Sequence, residues 1–140
     1  MPYQPILATL GYLLSADARR VLMVHRNARP GDQHLGKYNG LGGKLEADED
    51  VAAGMRREIQ EEAGVDWFGF IFLIPQWQGE PPAANAEGSL EWVEVDALDT
   101  LPLWEGDRHF LPLVFDGDPR PFHGVMPYRD GRMLSWRVSR

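Results

Sequence analysis

Residues Gly43–Val65, GKLEADEDVAAGMRREIQEEAGV, constrain the chain more than any other stretch. They read as a loop, a helix and the lead-in to a strand. Asp48, Glu49 and Asp50 mark the helix start, because carboxylates there meet unpaired N–H groups and the positive end of the dipole. Gly64 marks the stop, since glycine just past the last turn takes the left-handed conformation. Val51, Met55, Ile59 and Ala63 recur every four residues and form one apolar stripe. Whatever fold the chain adopts has to bury that stripe and leave the opposite face in reach of solvent.

The last turn of this helix breaks a local rule. Glu58, Glu61 and Glu62 stand at i, i+3 and i+4, so three carboxylates share one face at the negative end of the dipole. Each such mismatch costs roughly 0.3–1 kcal/mol unless something compensates. A hard divalent cation compensates directly, and carboxylate oxygens suit Mg²⁺ or Mn²⁺. The plain alternative is a solvated acidic face with Arg56 and Arg57 as neighbours.

The spacing bears on that choice. Gly43, five residues, Glu49, seven residues, then Arg57-Glu58-Ile59-Gln60-Glu61-Glu62-Ala63-Gly64-Val65 matches the Nudix box at every defined position. The chain therefore resembles the Nudix hydrolases, which cleave a nucleoside diphosphate linked to another group. The resemblance implies that Glu58, Glu61 and Glu62 hold the metals and that the carbonyl of Gly42 is a further ligand. Arg57 and Glu49 would brace the loop and helix of the catalytic motif.

Composition sets the outer limits. At 140 residues the chain is expected to form a single domain, residues 1–140, with a real core. The formal net charge of −7 argues against a nucleic-acid polymer as partner, but not against a small phosphorylated ligand met by metal and a few local cations. No cysteine is present, which removes disulfide and thiol chemistry. The N-terminus lacks the basic region and apolar run of a signal peptide, and the apolar run Trp67–Pro75 is too short to span a bilayer. The expectation is a cytoplasmic protein without a membrane partner, as monomer or homodimer.

Along the chain, Ile6–Leu14 and Val21–His25 read as two strands of a hairpin around the polar turn Asp17–Arg19. The loop from Arg26 to Lys37 is locally basic, with His25, Arg26, Arg29, His34 and Lys37; it reads either as a flank for a triphosphate, with Arg26 as a contact, or as a solubilising loop. In YNGLGG, Tyr38–Gly43, glycines allow backbone to approach a ligand; Asn39 suits a base edge or a turn, and Lys44 a phosphate or solvent. Val65–Trp77 is a strand region whose near-continuous apolarity predicts burial on both faces. A Pro-rich loop, Gly79–Ala86, precedes Glu87, which reads as an extra metal ligand, a base or a surface residue. A strand follows at Leu90–Val95. Trp104-Glu105-Gly106-Asp107 opens a helix with Asp107 as its cap, bent or shortened at Pro112. Phe122–Val138 reads as a hairpin turning at Asp130-Gly131. This mixture of hairpins and helices indicates an α+β sandwich.

The stretches LMVHRNARPGDQHLGKYNGLGGKLE, EGSLEWVEVDAL and LWEGDRHF resemble bacterial MutT/MutX-type enzymes, regarded as sanitising oxidised purine nucleoside triphosphates such as 8-oxo-dGTP. That resemblance implies an α/β/α sandwich with a mixed sheet and the Nudix loop-helix-loop. It places Asn39, Trp104 and Asp107 at the base pocket and Glu87 near the metals, with Glu61 or Glu87 as the base that activates water. Between Val65 and Glu87 the chain is shorter than the family pattern by roughly a strand and its turn, which touches one wall of the base pocket and leaves either widened specificity or an exposed edge strand. The alternatives are another Nudix substrate, such as ADP-ribose, a dinucleoside polyphosphate or an ordinary nucleoside triphosphate, and a non-catalytic nucleotide sensor.

Overall fold

Two β-forming runs separated by a polar turn build the first hairpin, β1 (Ile6–Leu14) with β2 (Arg20–Arg26). The turn is tied by its own side chains: Ser15 Oγ donates to Asp17 Oδ1 at 2.6 Å, and the Arg19 N–H donates to the same oxygen at 3.0 Å. The computed structural model describes residues 6–44 and 67–140. The helix expected from the Gly43–Val65 stretch, with Glu49, Arg57, Glu58, Glu61 and Glu62, lies outside the described residues.

The chain returns along β2 as β3 (Tyr38–Asn39) and then crosses to β1 as β4 (Leu41–Lys44). Gly40 stands at the crossing, and a Cβ there would lie 2.7 Å from the Tyr12 ring. At Gly42 a Cβ would lie 2.0 Å from the Thr9 carbonyl oxygen, so β4 reaches its place on β1 only with glycine. β5 (Trp67–Ile74) pairs with β1 in parallel from Ile6↔Trp67 to Leu13↔Ile74. β6 (Gly88–Glu94) pairs antiparallel with β2 over its whole length, from Arg20↔Glu94 to Arg26↔Gly88. The sheet is thus mixed and branched: β1 carries β5 on one edge and shares the other between β4 and β2.

A 3₁₀ segment, Val95–Thr100, leads to helix α1 (Asp107–Val114). α1 presses Phe110 and Leu111 onto Tyr12 and Leu14 of β1 and Val21 and Met23 of β2, the centre of the hydrophobic core. Four short strands follow. β7 (His123–Val125) pairs with β10 (Arg137–Ser139), and β8 (Tyr128–Arg129) pairs with β9 (Arg132–Met133). The expected turn at Asp130-Gly131 joins β8 to β9, with φ of 53° and 76°, the left-handed pair that a two-residue hairpin loop requires. Among the described residues no helix is long and apolar enough to cross a membrane. The whole is an α+β sandwich on a mixed sheet, as the sequence predicts.

Two expectations are corrected. Burial on both faces belongs to β2, where Val21, Leu22, Met23 and Val24 are all buried, and not to β5, where Phe68 is 50% and Leu73 42% exposed. β2 is flanked on both edges, whereas no strand pairs with the outer edge of β5 among the described residues. Asp107 is also not the helix cap. Gly106 is, without a side-chain cap bond, and Asp107 is the first helical residue.

Candidate active site

The C-terminal end of β2 gathers the polar side chains. Arg26 is buried, 6% exposed, and its Nε donates to Asp32 Oδ2 at 2.9 Å while Nη1 lies 3.6 Å from Glu87 Oε2. Glu87 is buried as well, at 5%. Its position is fixed by a turn in which Asn85 Oδ1 accepts from the N–H groups of Glu87 and Gly88 at 2.9 and 3.1 Å. Gly88 lets that turn close on β2, because a Cβ there would lie 1.8 Å from the His25 carbonyl oxygen. A buried guanidinium is tolerable only with such partners, and here two carboxylates from different loops supply them. Burial raises the Asp32 carboxyl, but the His34 N–H bond and the Arg26 charge outweigh it and hold the group below its ordinary value.

The loop after β2 is therefore not a simple row of solvated cations, one of the two readings its sequence allows. Its base is closed by the Arg26 N–H donating to the Lys37 carbonyl at 2.9 Å and the Gly36 N–H donating to the Arg26 carbonyl at 2.7 Å. His25 stacks on Tyr38 with ring centroids 4.3 Å apart and reaches Glu91 Oε2 at 3.0 Å. Tyr38 and Ser89 hydroxyls donate to the same Glu91 carboxylate, at 2.9 and 2.6 Å, and these bonds, Ser89 first, hold its carboxyl below the ordinary value. His34 is buried and accepts at Nδ1 from the Trp104 indole N–H, and the Lys37 ammonium stands 4.8 Å over the Trp104 ring. Most of the loop's basic side chains thus position other groups.

Trp104 and Asp107 come together at the start of α1, both half-buried. The Tyr38 N–H donates to the Pro102 carbonyl at 2.9 Å and ties this corner to β3. Asn39 pairs with Val24, so its side chain shares the face of Val24 and Arg26, opposite the face on which α1 packs. Its amide makes no side-chain hydrogen bond among the described residues. Arg26 and Glu87 are thus joined directly, Trp104 and Asp107 share one corner, and Asn39 lies on the same sheet face as Arg26. Lys44 closes β4, and Gly42 stands opposite Leu10.

Asp32, Asn85 and Tyr12 were missed by reading residues singly. Asp32 is a lone carboxylate inside a basic loop, and Tyr12 is one of two hydroxyls, with Thr9, in an apolar strand; these exceptions were signals. No three His, Asp or Glu side chains form a metal cluster among the described residues. A buried carboxylate, as at Glu87, and a backbone carbonyl, as at Gly42, are nevertheless the hard-oxygen groups that Mg²⁺ takes.

Comparison with known proteins bears on the family and the fold. The NUDIX domain model matches residues 5–114. An uncharacterised Nudix hydrolase of Bacillus subtilis, YvcI, is 27% identical over 70% of this chain and 77% of its own length. The oxidized purine nucleoside triphosphate hydrolase of Mus musculus is 26% identical over 68% of this chain and 72% of its own, and that of Danio rerio 28% over 56% and 63%. The fold is similar to that of the MutT protein of Bacillus halodurans, with a TM-score of 0.78 at 24% identity, covering 95% of this chain and 97% of that one. The MutT protein of Methanosarcina mazei aligns with a TM-score of 0.66 at 16% identity, over 86% and 99%. These neighbours show the fold, and the family model, which matches well over half of the chain, shows the rest: the protein belongs to the Nudix hydrolase family.

Proposed function

We propose that this Nudix hydrolase cleaves oxidised purine nucleoside triphosphates of the 8-oxo-dGTP kind to the monophosphate and pyrophosphate, as a nucleotide-pool sanitation enzyme. The observation that carries the base specificity is the corner at the start of α1. An indole ring fixed by His34 and Lys37 stands three residues before Asp107, offering an aromatic face and a carboxylate to a purine. Asn39 pairs with Val24 on the opposite sheet face, so its assignment to a base edge is carried by the family resemblance and not by this corner. The two vertebrate relatives bear the name of this activity, which supports the reading.

Glu58, Glu61, Glu62 and Glu87 would hold Mg²⁺, or Mn²⁺ in its place, with the Gly42 carbonyl. Such an ion neutralises phosphate oxygens and makes a bound water more acidic. Arg26 orients Glu87, which suits a ligand, so the proton of the attacking water goes to Glu61. Arg57 and Glu49 would brace the loop and helix of the motif, and Lys44 would meet a phosphate. Asp32 fixes Arg26 from its other side, so the guanidinium works through Glu87 rather than by catching substrate from solvent.

The test is steady-state hydrolysis of 8-oxo-dGTP, dGTP and ADP-ribose in Mg²⁺, with monophosphate and pyrophosphate detected. A large kcat/KM preference for the oxidised nucleotide is expected, with Glu62→Gln losing several orders of magnitude while remaining folded. Equal rates on the two triphosphates would remove the sanitation assignment and leave the family chemistry. Near-normal turnover by Glu62→Gln would remove the metal assignment.

A further inference from the structure

Tyr12 is fully buried at the centre of the core, yet its hydroxyl has no hydrogen-bond partner among the described residues. An orphaned hydroxyl in such a place costs free energy, and phenylalanine would fill the same volume without that cost. Packing alone therefore does not account for the oxygen. Its surroundings point to a role. The ring packs edge-on against Phe115 at 5.9 Å. The hydroxyl lies beneath Gly40, 3.0 Å from where a Cβ would stand, directly after Asn39. On the helix side Asp107 stands three and four residues before Phe110 and Leu111, on the face of α1 that packs onto Tyr12; burial first, then the charge of Asp107, push the phenol well above its ordinary value. The phenol is thus neutral near pH 7 and can only donate toward a carboxylate.

We infer that Tyr12 is a positioning, specificity-determining residue: when a purine occupies the corner at α1, its hydroxyl donates to the Asp107 carboxylate and fixes it as an acceptor. This rests on the proposed role of Asp107 in base recognition. An oriented, ionised carboxylate favours a guanine-type edge, which presents N–H donors at N1 and the exocyclic amine, over an adenine-type edge, which presents an acceptor at N1. Tyr12 lies beneath the surface and is not expected to touch substrate.

The test is Tyr12→Phe, compared with wild type by thermal denaturation, by kcat and KM on 8-oxo-dGTP and 8-oxo-dATP, and by calorimetric binding of 8-oxo-dGMP. The expected result is a Tm unchanged or raised and a KM for 8-oxo-dGTP up by about tenfold, the loss of roughly one hydrogen bond. Unchanged kcat, a narrowed guanine-to-adenine ratio and correspondingly weaker 8-oxo-dGMP binding belong to the same result. In an Asp107→Asn background the substitution should have little further effect. Unchanged KM and binding, an equal loss on both bases, or a variant that is less stable or unfolds would each overturn the inference. If wild type itself shows no preference for 8-oxo-dGTP over dGTP, the substrate reading fails. If wild type has that preference and Tyr12→Phe keeps it in full, only the role of Tyr12 fails.

Discussion

Arg26 shows how one residue changes meaning between sequence and structure. In sequence it belongs to a basic loop; in the fold it is a buried brace between Asp32 and Glu87. The Asp32 carboxyl is held below its ordinary value, so its contribution to stability is fully present above the unfolded-state pKa of about 3.9 and is lost as pH falls through the lower folded value. Asp32→Asn should lower stability at neutral pH by about 2–3 kcal/mol, less than a fully orphaned charge because Glu87 still faces Arg26. The gap between variant and wild type should close below about pH 4. Urea midpoints measured from neutral pH downward check both; a gap that stays constant with pH would mean that the carboxylate's charge is not what stabilises the loop.

At the scale of elements, the site depends on how tightly β6 closes on β2. Gly88 permits that closure, since no side chain fits between it and the His25 carbonyl. Gly88→Ala should cost about 1–3 kcal/mol, as forced overpacking does. It should also reduce kcat by more than the stability loss explains, because Glu87 is displaced from Arg26. Gly117 has a left-handed φ of 80°, but no atom lies within 4 Å of where its Cβ would stand, so Gly117→Ala should cost only about 1 kcal/mol and leave activity intact. Denaturation and turnover on the same preparations separate a local clash from general strain. Helix α1 makes the same point about elements. Because Gly106 and not Asp107 occupies the cap position, the Asp107 carboxylate is not committed to capping.

For the whole molecule, a net charge of −7 stands against a polyanionic substrate. The basic loop would offset this at long range if its cations were solvated, but His25 and Arg26 face carboxylates and Lys37 lies over Trp104. Electrostatic capture should therefore be weak. Raising ionic strength from about 0.01 M to about 0.1 M, which shortens the screening length from about 30 to about 10 Å, should leave kcat/KM at fixed free Mg²⁺ unchanged or slightly higher. A steep fall would show that the loop steers substrate after all.

The local pattern of this chain was sufficient for much of the fold. Apolar runs, polar turns and Asp130-Gly131 determined the strands and hairpins, because strand register and turn conformation depend on neighbours in the chain. The spacing from Gly43 to Val65 pointed to the family, because the family's motif is defined by that spacing of residues along the chain. Only the tertiary structure decided which strand lies at the centre. β5 is as apolar as any strand in the chain, but β2 has partners on both edges and is buried on both faces. Tertiary structure also turned Arg26, Asp32 and Glu87 into one buried group, since their pairing joins a strand end to two separate loops and no local period encodes it. The orphaned Tyr12 hydroxyl had to await the fold for the same reason: burial and the absence of a partner are properties of the assembled core, not of a tyrosine in a strand.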